Sequence, residues 1–179
     1  MDEPAVPTSF TACPGCGVLL PGSGAAWNPP SLASEACHSV YDEVLRFEYA
    51  HIVELGLWHQ LLVDTYAAQH AGEQSAPITT AFALIGLNLA LEHGRSGIEV
   101  RDAHQLLASR YREWPRFARP SGLGAMTVQD LALAATPVEH IAVLRRWARA
   151  VWDAWTPEHR RVDELVGHRV PGRHSTRRR

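Results

Sequence analysis

Across residues 34–167 the chain repeats one arrangement: apolar residues return every three or four positions, then a polar or Pro/Gly-rich break intervenes. In "SEACHSVYDEVLRFEYA", Val40, Val44, Leu45 and Phe47 fall on helical spacing, and two serines can cap the start. A break over residues 51–56 leads into "LWHQLLVDTYAAQHAG". There Trp58, Leu61, Leu62 and Tyr66 recur at the same steps, and Gly72 stands beyond as a stop. The spacing predicts a third helix over 77–94, so continuously apolar that central burial follows. A fourth is expected over 99–113, followed by the loop "WPRFARPSGLGAM". Thr127-Val-Gln-Asp130 reads as a capping box for a short fifth helix. Thr136, Pro137 and Glu139 open a sixth, which carries Ile141, Leu144, Ala148, Val151 and Trp155 on one stripe. Thr156-Pro157 starts a last helix ending near Gly167.

No strand-like alternation exceeds a few residues and no segment repeats, so the expected class is all-α, a compact bundle of six to seven helices. Residues 1–10, polar and proline-bearing, read as a flexible N-terminus. Residues 11–33 include "LLPGSGAAWNPPS", too rich in Gly and Pro for regular structure. The expectation is therefore one helical domain over 11–167, with an irregular segment at 13–37, and a disordered tail over 168–179.

Composition changes this picture little. An apolar share of 46% in 179 residues is that of an ordinary folded domain. The most apolar run, "AFALIGLNLALEHG", is broken at Glu92, short of the roughly 18–20 residues that span a bilayer. The acidic opening "MDEPAVPTSF" lacks the basic start of a secretory signal, so a cytoplasmic protein without a membrane segment is expected. Charge is more informative. All 17 basic residues are arginine; residues 1–168 hold 12 of them against 19 acids, a balance of −7, while 169–179 hold five and no acid. The tail "RVPGRHSTRRR" offers phosphate-binding charge, yet the acidic body repels phosphate. Nucleic acid is not an expected partner.

The chemistry lies in "FTACPGCGVLLPGSG", where Cys13 and Cys16 stand three apart around Pro14 and Gly15. A redox dithiol needs a helix starting at its first sulfur, to lower that thiol's pKa. Gly17, Pro21, Gly22 and Gly24 forbid one here. A metal knuckle fits better: the two-residue gap lets both thiolates reach one ion, proline sets the turn, and glycine tolerates positive φ. Zinc is the expected ion. With no second Cys-x-x-Cys, Cys37 becomes the third ligand.

Geometry selects the fourth ligand among ten histidines. His38 adjoins Cys37 on a helix, so its side chain points about 100° away. His59 and His70 share a face but lie about 16 Å apart along the axis, so one ion cannot take both. If the first two helices form an antiparallel hairpin turning near Val53, Cys37 and His70 meet at its open end and His59 lies near the turn. The expected metal ligands are Cys13, Cys16, Cys37 and His70.

The knuckle "CPGCG", the segments "EVLRFEYA" and "VDTYAAQH", and the late "RRWARAVWDAW" together resemble an uncharacterised bacterial family of small helical proteins, a domain of unknown function. The resemblance runs from Cys13 to Trp155 and implies that Cys13, Cys16, Cys37, Asp64, Tyr66, Gln69 and His70 belong to the family's pattern. The chain departs from that pattern at "SEACH", where a Pro-Gly-Cys turn is expected around Cys37. The family supplies no activity.

Several other residues invite chemistry. Asp64, mid-helix in an apolar run, is expected either to accept a hydrogen bond from a histidine or arginine or to face solvent. His140 and Trp147, seven apart on the sixth helix, read as a core histidine packed on tryptophan. Arg116 and Arg119 fall in a solvated loop. Two functions follow. In the first, zinc is structural and the domain is a binding or adaptor module for a protein or small-molecule partner. In the second, the chain is a zinc-dependent, hydrolase-like enzyme with one open metal position and Asp64 or Glu35 as base.

Overall fold

A computed structural model describes residues 9–22, 24–29 and 31–170. The expected flexible residues 1–8 and the basic tail over 171–179 lie outside the described residues. The fold is all-α apart from one small hairpin: strands β1 (Phe10–Ala12) and β2 (Leu19–Pro21) pair antiparallel, with Thr11 opposite Leu20. Eight α-helices follow among the described residues: α1 (Glu35–Ala50), α2 (Ile52–Leu55), α3 (His59–Gln69), α4 (Pro77–Leu91), α5 (Gly97–Arg110), α6 (Val128–Ala132), α7 (Pro137–Ala154) and α8 (His159–Arg169). A single 3-10 turn, Thr156–Glu158, joins the last two.

Local chemistry sets most of these boundaries. Ser34 accepts the Cys37 amide at 3.2 Å and starts α1. Ser96, Thr127 and Thr136 each form a full capping box, for α5, α6 and α7; each such cap stabilises by about 1 kcal/mol. Pro77 and Pro137 occupy first-turn positions where no amide hydrogen is needed.

Four expectations need correcting. The break over 51–56 contains α2, one turn of helix. The glycine-rich knuckle carries regular structure after all, because β1 and β2 need only three residues each. The fourth helix ends at Arg110 rather than 113: Tyr111 turns extended (φ −119°, ψ 135°), ahead of Pro115. The final helix reaches Arg169, so residues 168 and 169 belong to it and not to the tail.

Helix α4 is the centre. Nine of its residues, among them Leu84, Ile85, Leu87 and Asn88, are buried, and α3, α5, α7 and α8 pack around it. Against α6 and α7, α1 completes the core with Trp147, Trp152 and Trp155, all buried. Large side chains join α1 to α3: Tyr41 stacks on Tyr66 with ring centroids 4.0 Å apart. The pairs 37/70, 41/66 and 48/59 face one another, so steps of four and seven residues along α1 are matched by equal steps back along α3. That is the register of a hairpin turning at Val53, and it places the cysteine knuckle at the open end.

Candidate metal centre

Cys13 and Cys16 leave the knuckle toward the open end of the α1–α3 pair, where Cys37 in the first turn of α1 and His70, capping α3, also point. The four ligand atoms lie within 4.8 Å of one another. Cys16 Sγ is 3.8 Å from Cys37 Sγ, and Cys37 Sγ is 3.3 Å from His70 Nε2. A tetrahedral ion with metal–sulfur bonds of about 2.3 Å and metal–nitrogen bonds of about 2.0–2.1 Å has edges of about 3.8 Å and 3.5 Å between such atoms. The observed edges match, so these residues fit a metal ion. Cys13, Cys37 and His70 are each at most 2% exposed, and Cys16 is half-buried.

The surroundings orient each ligand. His70 Nδ1–H donates to the Tyr66 carbonyl at 2.8 Å, which leaves the Nε2 lone pair facing the sulfurs. The Ser34 amide donates to Cys13 Sγ at 3.3 Å. Tyr66, its phenol pKa pushed well up by burial and by the Cys37 sulfur beside it, keeps its proton and donates to Cys37 Sγ at 3.8 Å. Gly17, at φ +78°, closes the knuckle: its amide donates to the Cys13 carbonyl at 2.8 Å. Gly15 lies so close to His70 that a Cβ would collide with Cδ2. Cys37 is therefore presented by a capped helix start, and the Pro-Gly-Cys turn absent from "SEACH" is not needed.

Charge explains why the group calls for a cation. Left to themselves, the three thiols share one proton deficit. Hydrogen bonds from Cys16 and Cys37 pull the Cys13 pKa far down, and the same contact with Cys13 pushes Cys16 up to about 12 and Cys37 higher still. A cation among the sulfurs would let all three ionise, which is what this spacing suits.

Arg119 corrects the solvated-loop expectation. Its guanidinium donates to the Gly15 carbonyl at 2.6 Å and to those of Gln69 and Ala71, bridging the knuckle to the end of α3. Arg116 similarly reaches the Glu73 carbonyl at 3.1 Å. Gln69, fully buried, donates to the Leu123 and Met126 carbonyls at 2.9 and 2.7 Å and accepts from Trp147 Nε1 at 3.0 Å. It ties α3 to the long loop and to α7. His38, excluded from the site by its direction, stacks on Trp27 at 4.1 Å.

Among the described residues no carboxylate joins the cluster. Glu35 is exposed. Asp64 is buried, and its hydrogen bond comes from Gln60 Nε2 at 3.0 Å, not from a histidine or arginine. Nor does His140 pack on tryptophan: it stacks on Phe47 and donates through Nε2 to Glu48 Oε1 at 3.0 Å. On its other oxygen Glu48 accepts from His59 Nδ1 at 2.7 Å. Burial opposes ionisation of Glu48, but the two imidazoles outweigh it and hold the carboxyl below its usual range. Sequence reasoning missed Glu48, because its partner His140 is 92 positions away.

The chain belongs to DUF5946, a family of unknown function whose sequence model matches residues 11–156. No curated protein and no solved structure matches it.

Proposed function

We propose that this member of the family holds one zinc ion in a closed shell of Cys13, Cys16, Cys37 and His70, and that the ion's role is architectural. The buried, carboxylate-free Cys₃His set carries the reading: soft thiolates with one imidazole in tetrahedral spacing suit zinc, and structural sites are closed by four protein ligands. When bound, the ion supplies cross-linking energy, clamping the knuckle to α1 and α3. The chain's own residues fix the imidazole tautomer, donate hydrogen bonds to sulfur and keep water away. Three thiolates also quench Lewis acidity, and neither Asp64 nor Glu35 reaches the cluster, so the hydrolytic alternative has no base where it needs one. On this reading the domain is a binding or adaptor module for a protein or small molecule, working in a reducing cytoplasm that keeps three thiols free.

Metal analysis with X-ray absorption on the purified protein tests this. One zinc per chain in an S₃N shell is expected. An oxygen ligand that titrates near neutrality would overturn the architectural role and restore the hydrolytic one.

A further inference from the structure

On another side of α3, six residues before His70, Asp64 lines a cavity of about 1090 Å³ bounded by α3, α4, α7 and the start of α5. Leu57, Trp58, Leu61, Leu91 and Val100 give it an apolar lining. Asp64 is 4% exposed. Its Oδ1 accepts from Gln60, while Oδ2 is buried with no hydrogen-bond partner. A polar atom left this way is costly to the fold. Gly86 of α4 leaves the carboxyl its space, since a Cβ there would collide with Oδ2. Burial pushes the Asp64 pKa well above the ordinary carboxylate range.

The rim has the opposite character. Arg145, Arg146 and Arg149 of α7 line it, together with Arg95 and the acids Glu99 and Asp153. Arg149 is held by Glu92 at 2.6 Å. Arg145 and Arg146 are exposed and make no ion pair among the described residues; the Arg145 guanidinium lies 5.8 Å from the Trp58 ring centroid. An apolar wall, one unanswered buried polar atom and two uncommitted guanidiniums in a cavity this size describe a small-molecule site.

We propose that this cleft binds a small amphipathic carboxylate, its acid group held by Arg145 and Arg146, its aliphatic body along the apolar lining, and a hydroxyl at its inner end meeting the Asp64 carboxyl. A hydroxyl suits Asp64 because it can donate to a carboxyl oxygen or accept from the carboxyl proton. The site goes beyond the architectural reading of the metal and does not depend on it.

The test is calorimetric titration of the full-length, metal-loaded protein with 10-hydroxydecanoate and with decanoate. One molecule of the hydroxy acid should bind per chain, at least about fivefold tighter than decanoate. Reversing the rim with Arg145→Glu and Arg146→Glu together should weaken binding by about tenfold or more. Ala142→Trp, on the exposed lip, should abolish it. Asp64→Leu should remove the preference between the two acids. If that variant fails to fold, the two rim variants, at exposed positions, still decide. Zinc content should stay unchanged throughout, which separates failure here from failure of the metal assignment. No binding at millimolar ligand, or binding indifferent to both rim variants, would overturn the proposal.

Discussion

Two buried histidine clusters join α1 to α3, and they are built on opposite principles. Near the turn, the Glu48 carboxylate sits between the imidazoles of His59 and His140, two acceptors facing two N–H donors. At the open end, three sulfurs and the Nε2 lone pair of His70 face each other, with the His70 ring proton committed to a carbonyl. The first cluster is complete within the protein. The second has lone pairs without enough protons, and that imbalance, more than the presence of histidine, makes it able to hold a cation. The same comparison sets Glu48 apart: both of its oxygens already accept hydrogen bonds.

The sharpest way to break the comparison is to remove what completes each cluster. Chelation, or Cys37→Ser, should unfold the helical domain or leave it molten, because structural zinc contributes about 10 kcal/mol or more to such folds; loss of near-ultraviolet circular dichroism together with zinc release is the readout. At the other cluster Glu48→Ala should destabilise by about 3 kcal/mol in denaturant melts, since it strands two imidazole donors, yet leave zinc content at one per chain. Gly15→Ala, which presses on the His70 ring, should cost about 2 kcal/mol and weaken zinc affinity in a competition titration.

The smallest effect concerns acid. The Glu48 carboxyl is held below its unfolded value, so its contribution is present above about pH 4.3 and is lost as pH falls through the folded value. The stability gap between the wild type and Glu48→Gln, about 1 kcal/mol near neutrality, should therefore narrow in denaturant melts as pH falls below about 4. A gap that widens on acidification would show that the two imidazoles do not favour the charged carboxylate.

The metal cluster was legible in the sequence because it depends on spacing. Once Cys37 and His70 lie equally far from Val53, an antiparallel pair must bring them together, and the Pro-Gly between Cys13 and Cys16 fixes the knuckle. The capped helix starts at Ser34, Thr127 and Thr136 were legible for the same local reason, whereas the cap at Ser96, which starts its helix at Gly97, was not. The rest depends on partners far along the chain. Glu48 and Asp64 look alike in sequence, two acids in amphipathic helices, and only packing gives one two imidazoles and the other a single amide. The strand Phe10–Ala12 is too short for a period to register, and the helix over residues 52–55 is a single turn. Gln69 carried a pattern but no mechanism until the Leu123 and Met126 carbonyls were in place.

Arg119 has a consequence for the order of assembly. It grips the Gly15 carbonyl across 104 positions of chain, whereas all four ion ligands lie in the first seventy residues. During synthesis on the ribosome, sulfur and imidazole emerge before the arginine that latches them. If the cluster holds zinc as proposed, the latch closes over a loaded site, and Arg119→Ala should take up zinc yet release it faster.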